Sequence, residues 1–136
     1  MSPLTFKQLK AYDGDAPEVQ LKRKFYVQIA YNAFLARVKP ADAILENIEK
    51  NYNNSRFIIM NNRFPYNVES GISHLVVWMN PEKEANENDV RGYLKFRGVE
   101  EFAMFMNKPS QQSIKAIKHY HLFVPNDYLQ KIHIAE

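Results

Sequence analysis

Two of the four histidines, His119 and His121, stand two residues apart in the run Lys118-His119-Tyr120-His121-Leu122-Phe123-Val124. Imidazole titrates close to neutral pH, so it can attack as a nucleophile or carry a proton. The alternation of the run predicts a strand. His119, His121 and Phe123 then share one face, while Tyr120, Leu122 and Val124 share the other. The second set is the obvious core side, which leaves the histidines looking outward or into a cleft. Just before them lies Asn107-Lys108-Pro109-Ser110-Gln111-Gln112-Ser113-Ile114, a polar stretch. Its Gln112 and Ser113 can fix an imidazole tautomer or hold a phosphoryl oxygen. A third histidine opens His74-Leu75-Val76-Val77-Trp78-Met79, the clearest strand in the chain. Leu75, Val77 and Met79 form its core face, and His74, Val76 and Trp78 the opposite one. If both strands lie in one sheet, His74 and Trp78 join His119 and His121 on one surface. There Trp78 can stack on a base or a sugar.

These residue types allow three readings. The imidazoles can work on a phosphate ester. They can be buried, hydrogen-bonded groups lining a sheet. They can ligate a metal, which needs a further ligand, and His74 and Glu69 are the places to look. Glu69 is the only acid near His74 in the chain, so no metal is expected, and no pattern asks for a cofactor. His133, close to the end of the sequence, reads as a surface residue.

Helices come first and must position the strands. Thr5 to Tyr12 predicts a short helix broken by Asp13-Gly14. Asp15-Ala16-Pro17-Glu18 has the form of a helix start, and the apolar rows Phe25, Ile29, Ala33 and Tyr26, Ala30, Phe34 carry that helix from Pro17 to Val38. Lys22-Arg23-Lys24 near its start is a solvated face or a phosphate contact. After Lys39-Pro40 a further helix uses Ile44, Leu45, Ile48 and Tyr52. A strand is expected at Arg56–Asn61, and Asn62 to Asn67 must be a loop because Pro65 cannot sit in a central strand. Asn80 to Asn88 reads as a surface loop. Asp89 caps a helix carrying Val90, Tyr93, Leu94 and Phe96, and Val99 to Met106 adds a helical turn or two. Asp127 to Ile132 forms a last turn. The pattern is α+β: one domain over 1–136, with a helical part at 1–55 packed on a small antiparallel sheet within 56–136.

At 136 residues the chain can bury roughly two-thirds of its unfolded surface. It has no cysteine, which excludes disulfides and thiolate metal sites and fits a reducing compartment. No signal-type apolar region opens the sequence and no run approaches a membrane span, so a cytoplasmic protein without a membrane partner is expected. A net charge of +3 permits contact with phosphates or nucleic acid and demands neither.

Leu21-Lys22-Arg23, Tyr31, Asn62-Arg63-Phe64-Pro65-Tyr66, His74-Leu75-Val76-Val77-Trp78, the Asn107–Ile114 stretch and His119–Val124 occur in this order. Together they resemble the domain of unknown function 3605, a family of fungi and some large DNA viruses typified by the N-acetylglucosamine-induced proteins. Arg63 stands where that family usually has an acid, and Lys108-Pro109 where it has Pro-Pro. A viral relative would imply a place inside the virion. The last quarter of the chain is also similar to the histidine-triad nucleotide hydrolases and transferases. That resemblance implies a HIT-like sheet, with Asn107, Gln112 and Ser113 on the phosphate, His121 as nucleophile and His119 as the first histidine. Phe123 occupies the third histidine position.

The sequence therefore carries two functional expectations. One is a histidine-dependent hydrolase or transferase of nucleotide or sugar-phosphate esters. Its catalytic residues would be His121 and His119, and its substrate-binding residues Asn107, Gln112, Ser113, His74 and Trp78. The other is a non-catalytic binding or structural module with a protein partner, for example in a viral or cellular assembly.

Overall fold

The structure is a computed structural model that describes residues 2–12, 21–37, 42, 46, 49–52, 54–107 and 117–135. Alternating apolar runs become the four strands of one antiparallel sheet, β1 (Phe57–Asn61), β2 (Ile72–Met79), β3 (Ala103–Phe105) and β4 (His119–Pro125), in the order β1-β2-β4-β3. The centre of the sheet is the β2–β4 pair, where Trp78 lies opposite His119, Val76 opposite His121 and His74 opposite Phe123. This register places all three histidines on one face, because antiparallel partners project to the same side.

Both faces of the sheet are covered. On one face Ile59, Leu75, Val77, Met79, Met104, Tyr120, Leu122 and Val124 form the main core with Val90, Leu94, Val99 and Ile132. Helix α3 (Glu87–Phe96) and the 3-10 turn Asn126–Lys131 supply its other wall. Asn86, not Asp89, caps α3. Its side chain accepts from the Asp89 N–H while the Asp89 carboxylate accepts from the Asn86 N–H, a reciprocal box that satisfies two otherwise orphaned donors.

The histidine face is covered by chain from far away in sequence. Helix α1 (Phe6–Ala11), capped by Thr5 and Gln8, lays Leu9 and the flanking Leu4 and Tyr12 against Ala103, Phe105, Phe123 and Tyr66. Leu4 is clamped to the β1–β2 connection by Leu4 N–H to Asn67 O at 2.8 Å and Glu69 N–H to Leu4 O at 2.8 Å. At the other end of the same face Tyr52, Ile58, Val76, Trp78 and Ile117 pack together. The histidines therefore face a covered sheet surface, where the sequence pattern alone pointed to an open side or a cleft.

Three further expectations are corrected. The helix predicted from Pro17 to Val38 is α2, Phe25–Arg37; residues 13–20 and 38 lie outside the described residues, and 21–24 are not helical. There the Lys22 carbonyl accepts from Asn67 N–H at 2.6 Å and the Arg23 Nε–H donates to the Phe64 carbonyl at 2.7 Å, so this stretch pairs with the β1–β2 connection. Second, the apolar rows of α2 do not lie on the sheet. Tyr31 and Phe34 pack on the Phe64 ring at 5.0 and 5.3 Å, while Phe25, Tyr26 and Ile29 are exposed. Third, Val99–Met106 contains β3 where helical turns were expected. As a strand it sends Met104 to one core and Ala103 and Phe105 to the other, which a one-sided helix could not do. The helix expected after Pro40 falls largely outside the described residues, although Asp42, Glu46 and 49–51 are helical.

The β2–β4 pair should dominate stability. Leu122 has no exposed surface and sits at its centre, so Leu122→Ala should cost about 2–5 kcal/mol through lost burial and a residual cavity. Urea denaturation at pH 7 measures it, and a change below about 1 kcal/mol would contradict the packing described.

Candidate functional site

β2 and β4 present His74 and His121 to each other across the ladder, and their rings meet with His74 Nε2 2.8 Å from His121 Nδ1. The protons on this pair follow from one fixed donor. The backbone N–H of Tyr66 donates to His74 Nδ1 at 3.1 Å, so the neutral His74 ring carries its proton on Nε2. That proton is donated to His121 Nδ1, and His121 in turn holds its proton on Nε2. His121 Nε2 lies 3.2 Å from Asn107 Nδ2, itself a donor, which donates to the Tyr66 hydroxyl at 3.0 Å. Both nitrogens of His74 and Nδ1 of His121 are thus engaged. The Asn62 amide lies 3.2 Å from His74 Nε2, while its oxygen accepts from Phe64 N–H at 2.8 Å.

Tyr66 is the hub of this cluster. Its ring lies 4.7 Å from His74 and 5.2 Å from His121, and it is held there by Pro65-Tyr66 folding back from β1 over the sheet. Phe123 stacks on His74, with the ring centres 4.3 Å apart. On the outer side of Tyr66 lies Arg23, its guanidinium 5.0 Å from the Tyr66 ring and 4.1 Å from the Tyr31 ring. Burial holds the His74 pKa well below the ordinary imidazole value, with smaller pushes from His121 and from the Arg23 charge. Burial likewise pushes His121 down to about 3, helped by His119 and Arg23. Burial raises the Tyr66 phenol, partly offset by its bond to Asn107 and by Arg23. At neutral pH the cluster is an uncharged relay beside one cation.

His119 is held differently. Its Nδ1 lies 2.9 Å from the Ile117 carbonyl, an acceptor only, so Nδ1 carries the proton and Nε2 keeps its lone pair. Nε2 has no hydrogen-bond partner among the described residues. Burial lowers this pKa too, offset in part by the bond to Ile117, so the ring is neutral at pH 7. Its face packs on Trp78 at 4.7 Å, and its ring lies 5.7 Å from that of His121.

Of the residues singled out in the sequence, His74, His119, His121, Trp78 and Asn107 are brought together, all buried. Trp78 packs within the Tyr52–Ile117 cluster. Gln112 and Ser113 lie outside the described residues. Lys118 is exposed and its ammonium lies over Tyr120, on the sheet face away from the histidines. The Glu69 carboxylate accepts from Phe6 N–H at 2.7 Å, so it ties down α1. Among the described residues no group of three or more His, Cys, Asp or Glu is placed to hold a metal. Arg23, Asn62 and Tyr66 were not predicted as site residues. Their only signal was membership of the Arg-containing basic run and of Asn62-Arg63-Phe64-Pro65-Tyr66. A cavity of about 330 Å³, lined by Asn51, Ser55, Phe57, Ile58, Ile59, Tyr93, His133 and Ala135, lies along β1 and includes none of the three sheet histidines.

The model of the family described as protein of unknown function (DUF3605) matches residues 6–125. A solved structure titled "Crystal Structure of HTC1" is similar at 24% identity and a TM-score of 0.60, covering 77% of this chain and 76% of that one, which is a likeness of fold. No curated protein matches the chain. No helix among the described residues is long and apolar enough to cross a membrane.

The neutral relay makes stability depend on pH. The imidazoles at 74, 119 and 121 all have folded pKa values below the ordinary 6.5. Between those values and 6.5 the unfolded chain binds more protons, so their contribution is complete above pH 6.5 and is lost as pH falls toward the folded values. For His121 the window runs from 6.5 down to about 3. Moving from pH 7 to 5 should cost about 2 kcal/mol through His121 alone. Urea denaturation at both pH values measures it; His121→Gln should show a shallower slope, and a flat wild-type profile would refute the buried neutral pair.

Proposed function

The chain belongs to the DUF3605 family, and we propose that it is a histidine-dependent hydrolase or transferase of small phosphate esters in which His119 is the reacting imidazole. The observation that carries this reading is the tautomer of His119. A backbone carbonyl holds its Nδ1 proton, and no described residue engages the lone pair of Nε2 on this neutral ring. This is the state a nitrogen nucleophile needs. His121, the nucleophile implied by the histidine-triad resemblance, has its Nδ1 lone pair taken by His74 and carries its proton on Nε2, so it offers no lone pair. Its role in this reading is to hold Asn107 and the sheet face in place.

Gln112 and Ser113, as the histidine-triad resemblance implies, supply the phosphoryl contacts in this proposal. In the first step Nε2 of His119 forms a bond to phosphorus as the ester P–O bond breaks, and the leaving oxygen takes a proton from solvent. Water, or an acceptor hydroxyl, then attacks phosphorus, breaks the N–P bond and restores the imidazole. Trp78 fixes the plane of the His119 ring. The setting proposed is the cytoplasm, or a virion if the chain is viral.

A binding or structural module is the second reading, favoured by the saturation of His74 and His121. In that reading the partner is a protein or a nucleic acid and the histidines only fill the sheet face.

A panel of nucleotide and sugar-phosphate esters, assayed with wild type, His119→Ala and His121→Asn, separates the two. The enzyme reading expects His119→Ala to lower turnover by at least about 10²-fold at a temperature where the variant is still folded, more than its loss of stability accounts for. It expects His121→Asn to lower the melting temperature by several degrees, because a buried partner of His74 is replaced. Absence of turnover by the wild type, or full activity in His119→Ala, would remove the enzyme reading.

A further inference from the structure

We propose that Arg23 and Arg63, both anchored at Phe64, form a recognition site for the phosphoryl group of a small ligand. The site goes beyond the reaction proposed for His119 and does not depend on it. Arg23 is half-buried and spends only its Nε–H, donated to the Phe64 carbonyl at 2.7 Å. Its guanidinium is held over the Tyr31 and Tyr66 rings, 4.1 and 5.0 Å from their centres. Arg63 projects from the neighbouring position, and its guanidinium lies 5.1 Å from the Phe34 ring and 5.4 Å from the Phe64 ring. Neither makes an ion pair among the described residues; the pairs there are Lys50–Glu46, Arg56–Asp89 and Arg91–Glu87.

The chemistry of the pair selects an anion. A guanidinium offers five N–H donors, and stacking on a ring engages none of them. The Nη groups of Arg23 and all donors of Arg63 have no acceptor among the described residues. The charge of Arg23 is therefore not cancelled locally, and it is felt at His74, His121 and Tyr66. Rings on α2 and on the β1–β2 connection orient both cations before any ligand arrives, which reduces the ordering cost of binding. Two fixed forks around one residue suit a group with several oxygens and more than one charge. A phosphoryl group has both, and arginine meets it with paired N–H donors.

Inorganic pyrophosphate is the probe, titrated into the full chain by calorimetry, with malonate as the carboxylate control. Wild type should bind pyrophosphate, and binding should weaken as NaCl is raised. Arg63→Gln, an exposed change that should leave folding intact, and Arg23→Gln should each weaken it by at least about tenfold, the loss of one charge-assisted contact. Arg23→Lys keeps the charge but not the fork, and should also bind less tightly. Lys95→Gln, an exposed charge on α3 on the other side of the sheet, should bind pyrophosphate as wild type does, so a general loss of positive charge and the loss of this site can be told apart. No binding by the wild type, wild-type affinity in Arg63→Gln, or malonate bound as tightly as pyrophosphate would each overturn the assignment.

Discussion

The hydrogen bond between His74 and His121 is the constraint on which the buried face depends. It spans 47 residues of sequence and 2.8 Å of space, at the centre of the sheet. An added proton would have to sit on His74 Nδ1, against the Tyr66 N–H, or on His121 Nδ1, against the His74 Nε2–H, so both rings are neutral. Agreement of their tautomers is imposed from outside by the Tyr66 N–H. That donor is unable to change, so it orders the protons on both His74 and His121. Burial then keeps charge out, because an imidazolium in this setting would lose its hydration without gaining a carboxylate.

The rest of the fold can be understood as what this arrangement needs. Tyr66 reaches the pair only because the β1–β2 connection folds back across the sheet. That fold-back is held by Leu4 at one point and by Lys22 and Arg23 at another. α1 closes the same face over Phe105 and Phe123, with Tyr12 edge-on to Phe105 at 4.5 Å. The two sides of the sheet are thus built by different means. The main core is local in character: α3 follows β2 and packs back on it. The histidine face is assembled from the N-terminal segment, the β1–β2 connection and β4, far apart in the chain. Its stability and its chemistry are therefore coupled, and substitutions within it should rarely affect only one.

The cluster also divides its three histidines by their surroundings. His74 and His121 spend their lone pairs inside the protein, whereas His119 has a carbonyl on one nitrogen and nothing described on the other. The same side chain, on alternate positions of one strand, is thus set to different tasks by what lies opposite it. Arg23 adds a cation at the far end, beyond Tyr66, and no described acid offsets it.

Much of this was legible in the residues themselves. Period-two alternation fixes which side chains of a strand share a face, so the strands at Phe57, His74 and His119, and the pairing of His74 with Trp78 and of His119 with His121, follow from spacing; the register of β2 on β4 put the two pairs on one face. The cap of α3 was placed three residues late, on Asp89 where Asn86 holds it. Burial of that face was not legible. Alternation separates two faces but does not say whether the second is covered, which depended on α1 and on a connection folding back. β3 was missed because three residues are too few to show a period, and pairing with β4 decided it. The tautomers were beyond reach for the same reason: a proton's place is set by the nearest donor or acceptor in space. For His74 and His119 those were the Tyr66 N–H and the Ile117 carbonyl. Sequence determined which groups could meet, because side-chain direction is a local property of the backbone; tertiary structure decided which did, because burial and hydrogen bonding are properties of neighbours brought in from elsewhere.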